Sequence, residues 1–263
     1  MHAPAAPPPI DPQLLLLAYR SGIFPMADAR DDSEIFWVEP RRRAVLPLDR
    51  FHCSHSLAKV LRRGRFEVTC NQGFAAVIEA CAQPRRDTDE TWISSRIARS
   101  YMALHELGQA HSIECWHEGK LLGGLYGVGF DRVFCGESMF SRANDASKVA
   151  LAWLVAALRR AGAVLLDCQF MTGHLASLGA AEMSQAEYLA LLRAAQRAAV
   201  ADALGVGLPS GGAGLAAGLA AADGLAAGVA LPAGFAALLD DAAAAGLSSS
   251  PGNFIAQSLT HTS

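Results

Sequence analysis

Apolar and polar positions sort into short alternating runs and longer runs of helical period. Asp11-Pro12, an aspartate cap with proline at the first helical position, opens a leucine-rich helix that runs to Gly22. Residues 23–26 leave it as an extended turn. Residues 36–38 read as a strand stopped by Pro40. Ser54 or Ser56 caps a short helix through Arg63, followed by a strand at 65–69, a helix at 73–81 and a polar loop at 84–90. A helix from Ser94 or Ser95 to Leu107 keeps Ile97, Tyr101, Leu104 and His105 near one face. Alternation in 112–117 and 121–128 about Glu118-Gly119 predicts a hairpin, which 130–134 extends into a meander. A helix at 147–162, a buried strand at 164–169, a short helix at 174–178 and a long helix at 185–200 complete the pattern. Strands and helices interleave without a regular βαβ period. The expected fold is therefore α/β (α+β), built on a mixed sheet.

Residues 201–263 differ in kind. Alanine and glycine fill 30 of these 63 positions, so low order or marginal helices, and no chemistry, are expected there. The segment holds four aspartates and no lysine or arginine. The net charge of −3 therefore leaves the first 200 residues close to neutral, and local charge has to decide the partner. Residues 41–65 supply that local signal: Arg41, Arg42, Arg43, Arg50, Lys59, Arg62, Arg63 and Arg65 stand against Asp49 alone. Lys59, Arg62 and Arg63 share one helix face with no acid to relieve repulsion, which points to an anionic partner.

Cys53, Cys70, Cys81, Cys115, Cys135 and Cys168 show no paired spacing and read as buried thiols of a reducing cytoplasm. No metal or cofactor is expected, because no His/Cys cluster has ligand spacing. No secretion signal is read at the start, and the apolar stretch 224–239 is too short and too weakly hydrophobic to cross a bilayer.

Two acids interrupt apolar strand patterns. Glu137 lies within GGLYGVGFDRVFCGESMFSR (123–142), and Asp167 ends a buried run just before Cys168-Gln169. A core would place valine or leucine at such points, so both acids are candidate site residues. In a regular strand Gln169 shares a face with Asp167, and Cys168 points the other way, against a nucleophilic role.

The segments GIFPM (22–26), TWISS (91–95), LHELGQAHSIECW (104–116), GGLYGV (123–128), FCGESMFSRANDASKVAL (134–151), LLDCQF (165–170) and HLASLGA (174–180) occur in order. Together the chain resembles the bacterial leucyl/phenylalanyl-tRNA–protein transferase family over roughly residues 12–195. The resemblance implies a small N-terminal domain (1–45) and a catalytic domain like the GCN5-related acetyltransferases, GNAT-like (46–200); the low-complexity tail (201–263) has no counterpart in it. It implies transfer of leucine, phenylalanine or methionine from aminoacyl-tRNA to the N-terminal Arg or Lys of proteins, marking them for degradation. It further implies a monomer in the cytoplasm, with no membrane partner.

Such a reaction is ester aminolysis. An α-amine with a pKa near ~8 is partly protonated at neutral pH, and a carboxylate can take or share its proton. The family pattern assigns that task to Asp167, with the Gln169 amide donating to Asp167 or to the oxyanion. Glu137 either holds the donor ammonium or orders the loop. Leu125, Phe134, Leu151, Leu154 and Leu158 match the donor side-chain pocket, Met26 the contact to the terminal adenosine, and Lys59, Arg62 and Arg63 the acceptor-stem strip. Met26 stands where many relatives carry tryptophan, and Leu154 and Leu158 where aromatics are common. His111 and His174 read as structural. Two other readings compete: an acyl-CoA-dependent N-acetyltransferase, for which 140–148 lacks the glycines of a pyrophosphate loop, and a non-catalytic RNA-binding protein. Under the leading reading, Asp167→Ala keeps the fold and loses most turnover.

Overall fold

The computed structural model describes residues 7–84, 91–204 and 229–260. From residue 85 the expected polar loop lies outside them, as do 205–228 and 261–263 of the tail.

The chain opens with α1 (Pro12–Arg20). The Asp11 carboxylate accepts from the Gln13 and Leu14 amides, and proline sits in the first turn. Then come β1 (Phe24–Met26) and β2 (Phe36–Val38), an antiparallel pair of their own, and β3 (Arg42–Val45). Ser54 caps α2 (His55–Arg63), which Gly64 closes in the left-handed conformation. β4 (Glu67–Cys70), α3 (Phe74–Cys81) and the Ser94-capped α4 (Ser95–Glu106) come after it. The meander is β5 (Ala110–His117), β6 (Lys120–Phe130) and β7 (Val133–Ser141). Next are α5 (Ala146–Arg160), β8 (Leu165–Asp167), α6 (Gly173–Ser177), β9 (Ala181–Ser184) and α7 (Gln185–Leu204). After the undescribed stretch come α8 (Leu231–Ala244) and α9 (Pro251–Thr260).

Among the described residues the large sheet runs β4-β5-β6-β7-β8-β3-β9. It is mixed: β7 and β8 are parallel, and the other pairs antiparallel. This is the α/β fold with a mixed sheet that the pattern predicts. A core lies on each face. One gathers α2, α5, α8 and α9; the other gathers α1, α3, α4 and α7.

Several local expectations fail for physical reasons. Residues 130–134 do carry the chain on into the meander, but as its second turn rather than as one strand. β6 ends at Phe130, and the chain turns at Asp131 (φ 52°) before β7 begins. β3 and β9 were not expected as strands; β3 begins with two arginines, and both elements have only four residues. β8 stops at Asp167 because the backbone turns at Gln169, whose φ is 54°.

The largest difference is the tail. Of the two expected states, low order or marginal helices, residues 229–260 form helices, and these are packed into the core. α5 is apolar nearly all round, so it needs partners on every side. α8 and α9 cover the side that the sheet leaves open. Glycine makes this possible: a Cβ at Gly234 would collide with the Ala157 carbonyl, and one at Gly252 with the Leu61 carbonyl. Leu231, Phe235, Ile255 and Leu259 are buried there, each worth about 1.5–3 kcal/mol of transfer free energy.

Candidate active site

The site grows out of two irregularities in the sheet. β7 and β8 pair only through Val133–Cys135 and Leu165–Asp167, beyond which β7 runs on and the chain leaves β8. A crevice opens outside the carboxyl ends of these parallel strands. The second irregularity is a β-bulge. Tyr126 faces Ser138 and Gly127 faces Gly136, so Glu137 is the extra residue with no partner across the ladder. The bulge requires glycine opposite it, since a Cβ at Gly127 would strike the Cys135 carbonyl and the Phe134 ring. Freed from the ladder, Glu137 lines the crevice.

The crevice is a cavity of about 470 Å³, in the usual size range for small-molecule sites. It passes through the sheet layer. On the α5 side it is walled by Leu125, Met139, Leu151, Leu154 and Leu166. On the N-terminal side stand Phe24, Met26 and Trp92. Glu137 and Gln169 supply polar groups between the two halves.

Glu137 is half-buried and held by donors. Tyr101 Oη donates to its Oε2 at 2.8 Å, and the Tyr19 and Tyr101 hydroxyls lie 2.5 Å apart. Gln169 Nε2 donates to Oε1 at 3.1 Å. Burial pushes the Glu137 carboxyl from 4.5 up to about 7, against the pull of the tyrosine hydrogen bonds. Burial, with the Glu137 charge next, keeps both tyrosines protonated well above their usual range, so they remain donors.

Asp167 is placed differently from the sequence expectation. It is 0% exposed and does not line the cavity. Arg43, itself 1% exposed, grips it in a fork, Nε to Oδ1 at 2.9 Å and Nη2 to Oδ2 at 2.5 Å. Tyr188 Oη donates at 3.0 Å and the Gln169 backbone N–H at 2.9 Å. Burial alone would lower the Arg43 guanidinium; facing Asp167 more than restores it, above the usual range. No acceptor capacity is left to meet a substrate amine. The second expectation, Gln169 on the same strand face as Asp167, also fails. The strand has ended, and Gln169 gives its backbone to Asp167 and its side chain to Glu137.

Of the expected pocket residues, Leu125, Leu151 and Leu154 wall the cavity, together with Met26. Phe134 and Leu158 are fully buried in the core and do not wall it. His111 pairs through Nδ1 with Asn71, and burial lowers it to about 4. His174 does line the cavity, contrary to its structural reading. Cys168 lines it as well, but burial and then Asp167 push its thiol far up, which removes any nucleophilic role. Sequence reasoning missed Arg43, Tyr19, Tyr101 and Tyr188. Arg43 was hidden in a run of arginines, and nothing local marks a tyrosine that serves a distant carboxylate. Trp92 could have been found, since it stands in the TWISS segment.

Lys59, Arg62 and Arg63 are exposed on α2, and among the described residues no ion pair engages them. Of the arginines at 41–43, only Arg43 is buried; Arg42 pairs with Glu182 at 2.8 Å.

Known proteins match this chain over long stretches of sequence. The model of the leucyl/phenylalanyl-tRNA protein transferase family matches residues 45–193, and that of its N-terminal domain matches 9–41. A leucyl/phenylalanyl-tRNA–protein transferase of Novosphingobium aromaticivorans is 65% identical over 267 residues, 98% of this chain and 98% of that one. The proteins of that name from Zymomonas mobilis subsp. mobilis and Rhizorhabdus wittichii are 56% and 57% identical. They cover 71% and 70% of this chain, and 69% and 74% of their own lengths. The chain is an enzyme that belongs to the leucyl/phenylalanyl-tRNA–protein transferase family.

Proposed function

We propose that this protein transfers leucine, phenylalanine or methionine from aminoacyl-tRNA to the N-terminal Arg or Lys of proteins in the cytoplasm, marking them for degradation. One observation carries the reading: an apolar cavity of about 470 Å³ whose polar groups include a carboxyl poised near neutrality, hydrogen-bonded to a glutamine. The leucine-walled half takes the donor side chain, and the half with Met26 and Trp92 takes the terminal adenosine. Methionine covers a base with its polarisable thioether, and Trp92 adds an aromatic face.

The acceptor α-amine attacks the ester carbonyl. A C–N bond forms, the bond from carbon to the ribose oxygen breaks, and the amine proton ends on that oxygen. Glu137, titrating near 7, is matched to take that proton and return it. Gln169 gives its N–H to Glu137, so its carbonyl oxygen remains to accept from the amine. Asp167 acts at one remove, fixing the Gln169 backbone and neutralising Arg43. The exposed Lys59, Arg62 and Arg63 meet acceptor-stem phosphates, which position a tRNA without reading its sequence.

The acyl-CoA reading is disfavoured at the start of α5. Asp145 occupies the N-cap with φ 66° and pairs with Lys148 at 2.9 Å, placing a carboxylate where a pyrophosphate would need to sit. The test offers radiolabelled leucyl-tRNA, labelled acetyl-CoA and an Arg-initiated peptide together. Label is expected on the peptide from the tRNA. Label from acetyl-CoA, or tRNA retention without transfer, refutes the proposal.

A further inference from the structure

The two C-terminal helices lie beyond residue 193, where the family match stops, yet they touch both elements that handle substrate. α8 lies along α5. Phe235 packs on Trp153 with centroids 5.2 Å apart, Gly234 lets its backbone approach Ala157, and Asp241 pairs with Arg160 at 2.9 Å. This face of α5 is turned about 120° from the one that carries Leu151 and Leu154 to the cavity. α9 packs against both α2 and α5. Gly252 meets the Leu61 carbonyl in the last turn of α2, beside Arg62 and Arg63. From α5, Arg159 holds the Leu48 carbonyl at 2.6 Å and the α9 carbonyl of Ser258 at 3.4 Å.

We propose that α8 and α9 form a spacer that sets the distance between the cations of α2 and the donor cavity beside α5. It thereby keeps the phosphates and the aminoacyl ester of one bound tRNA in register. The inference rests on the proposed roles of that cavity and that cationic strip. A rigid spacer matters only to a ligand that spans both elements. Aminoacyl-tRNA does so, whereas leucine esterified to adenosine reaches the cavity alone. The alignment with the Novosphingobium protein covers 98% of this chain, so it reaches into the residues of α8 and α9.

Gly252→Ala is the test, in the full-length chain. Alanine is the better helix former, so α9 itself is not weakened, but its Cβ must push α9 off Leu61. Transfer to an Arg-initiated peptide is measured with leucyl-tRNA and with leucyl-adenosine. The KM for leucyl-tRNA is expected to rise at least about fivefold, with kcat and KM for leucyl-adenosine unchanged. Arg159→Lys keeps the charge but cannot hold Leu48 and Ser258 together. It must shift the tRNA constant in the same direction, and it decides the matter where Gly252→Ala does not fold. Equal losses on both donors, or no change on either, overturn the spacer. A protein with Lys59→Ala, Arg62→Ala and Arg63→Ala separates the two levels. An unchanged KM for leucyl-tRNA there sinks the strip itself; a raised KM beside a silent Gly252→Ala sinks only the spacer.

Discussion

Removing the Asp167 carboxylate should unfold much of the protein before it says anything about catalysis. The sequence alone suggests that Asp167→Ala keeps the fold; the ion pair with Arg43 reverses that expectation. Both side chains are at most 1% exposed, and the carboxylate accepts four hydrogen bonds: two from Arg43, one from Tyr188 and one from the Gln169 backbone. Truncation strands a buried guanidinium with no counter-charge. Breaking such a pair from one side costs about 3–5 kcal/mol, a large share of the roughly 5–15 kcal/mol typical of whole domains. Replacing both partners with apolar groups, Arg43→Met with Asp167→Leu, should recover most of the loss, because no charge is then left buried. Urea unfolding of the three proteins measures this, with midpoints compared at equal slope. The double variant should regain stability yet transfer poorly, since the Gln169 amide has lost its anchor. An Asp167→Ala protein within about 1 kcal/mol of wild type would refute this reasoning, because the pair would then carry no structural weight.

Two further outcomes test the cavity. The folded Glu137 carboxyl titrates at about 7 rather than 4.5, so its neutral form is favoured by folding. Its contribution is fully present below about pH 4.5 and lost as pH rises through 7, amounting to roughly 3 kcal/mol. Glu137→Gln should therefore gain stability relative to wild type between about pH 5 and 8 in thermal melts; a difference that does not vary with pH contradicts the role given to burial. Leu154→Phe narrows the donor side of the cavity and should lower kcat/KM for phenylalanyl-tRNA about 10- to 200-fold more than for leucyl-tRNA. Equal effects on both donors would place the side chain elsewhere.

Local chemistry in the sequence marks many of the elements. The Asp11-Pro12 cap, the Ser54 and Ser94 caps and the hairpin around Glu118-Gly119 are short-range signals, and they stand where they were expected. Glu137 stood out as an acid within an apolar run, whereas Leu125, Leu151, Leu154 and Met26 came only from the family resemblance; all five line the cavity with Gln169. What could not be read depends on pairing across long separations. Arg43 and Asp167 are 124 residues apart, and within Arg41-Arg42-Arg43 only the middle of a sheet distinguishes the buried arginine. Within residues 229–260 the packing is illegible for a similar reason: Gly234 and Gly252 look like helix breakers until α5 and α2 are seen to need close backbone neighbours.

The extra residue in β7 also governs the remainder of that strand. Before Glu137 the odd-numbered side chains Val133 and Cys135 join the core of α1, α3, α4 and α7, and Phe134 joins the other. After it the parity is exchanged: Met139 turns to the α5 side and Phe140 to the opposite one. Deleting Glu137 alone would close the bulge and restore plain alternation, leaving Met139 across from Leu125 and Phe140 across from Gly124. The walls of the chamber would keep their places and only its carboxyl would go, so the insertion exists for that one group.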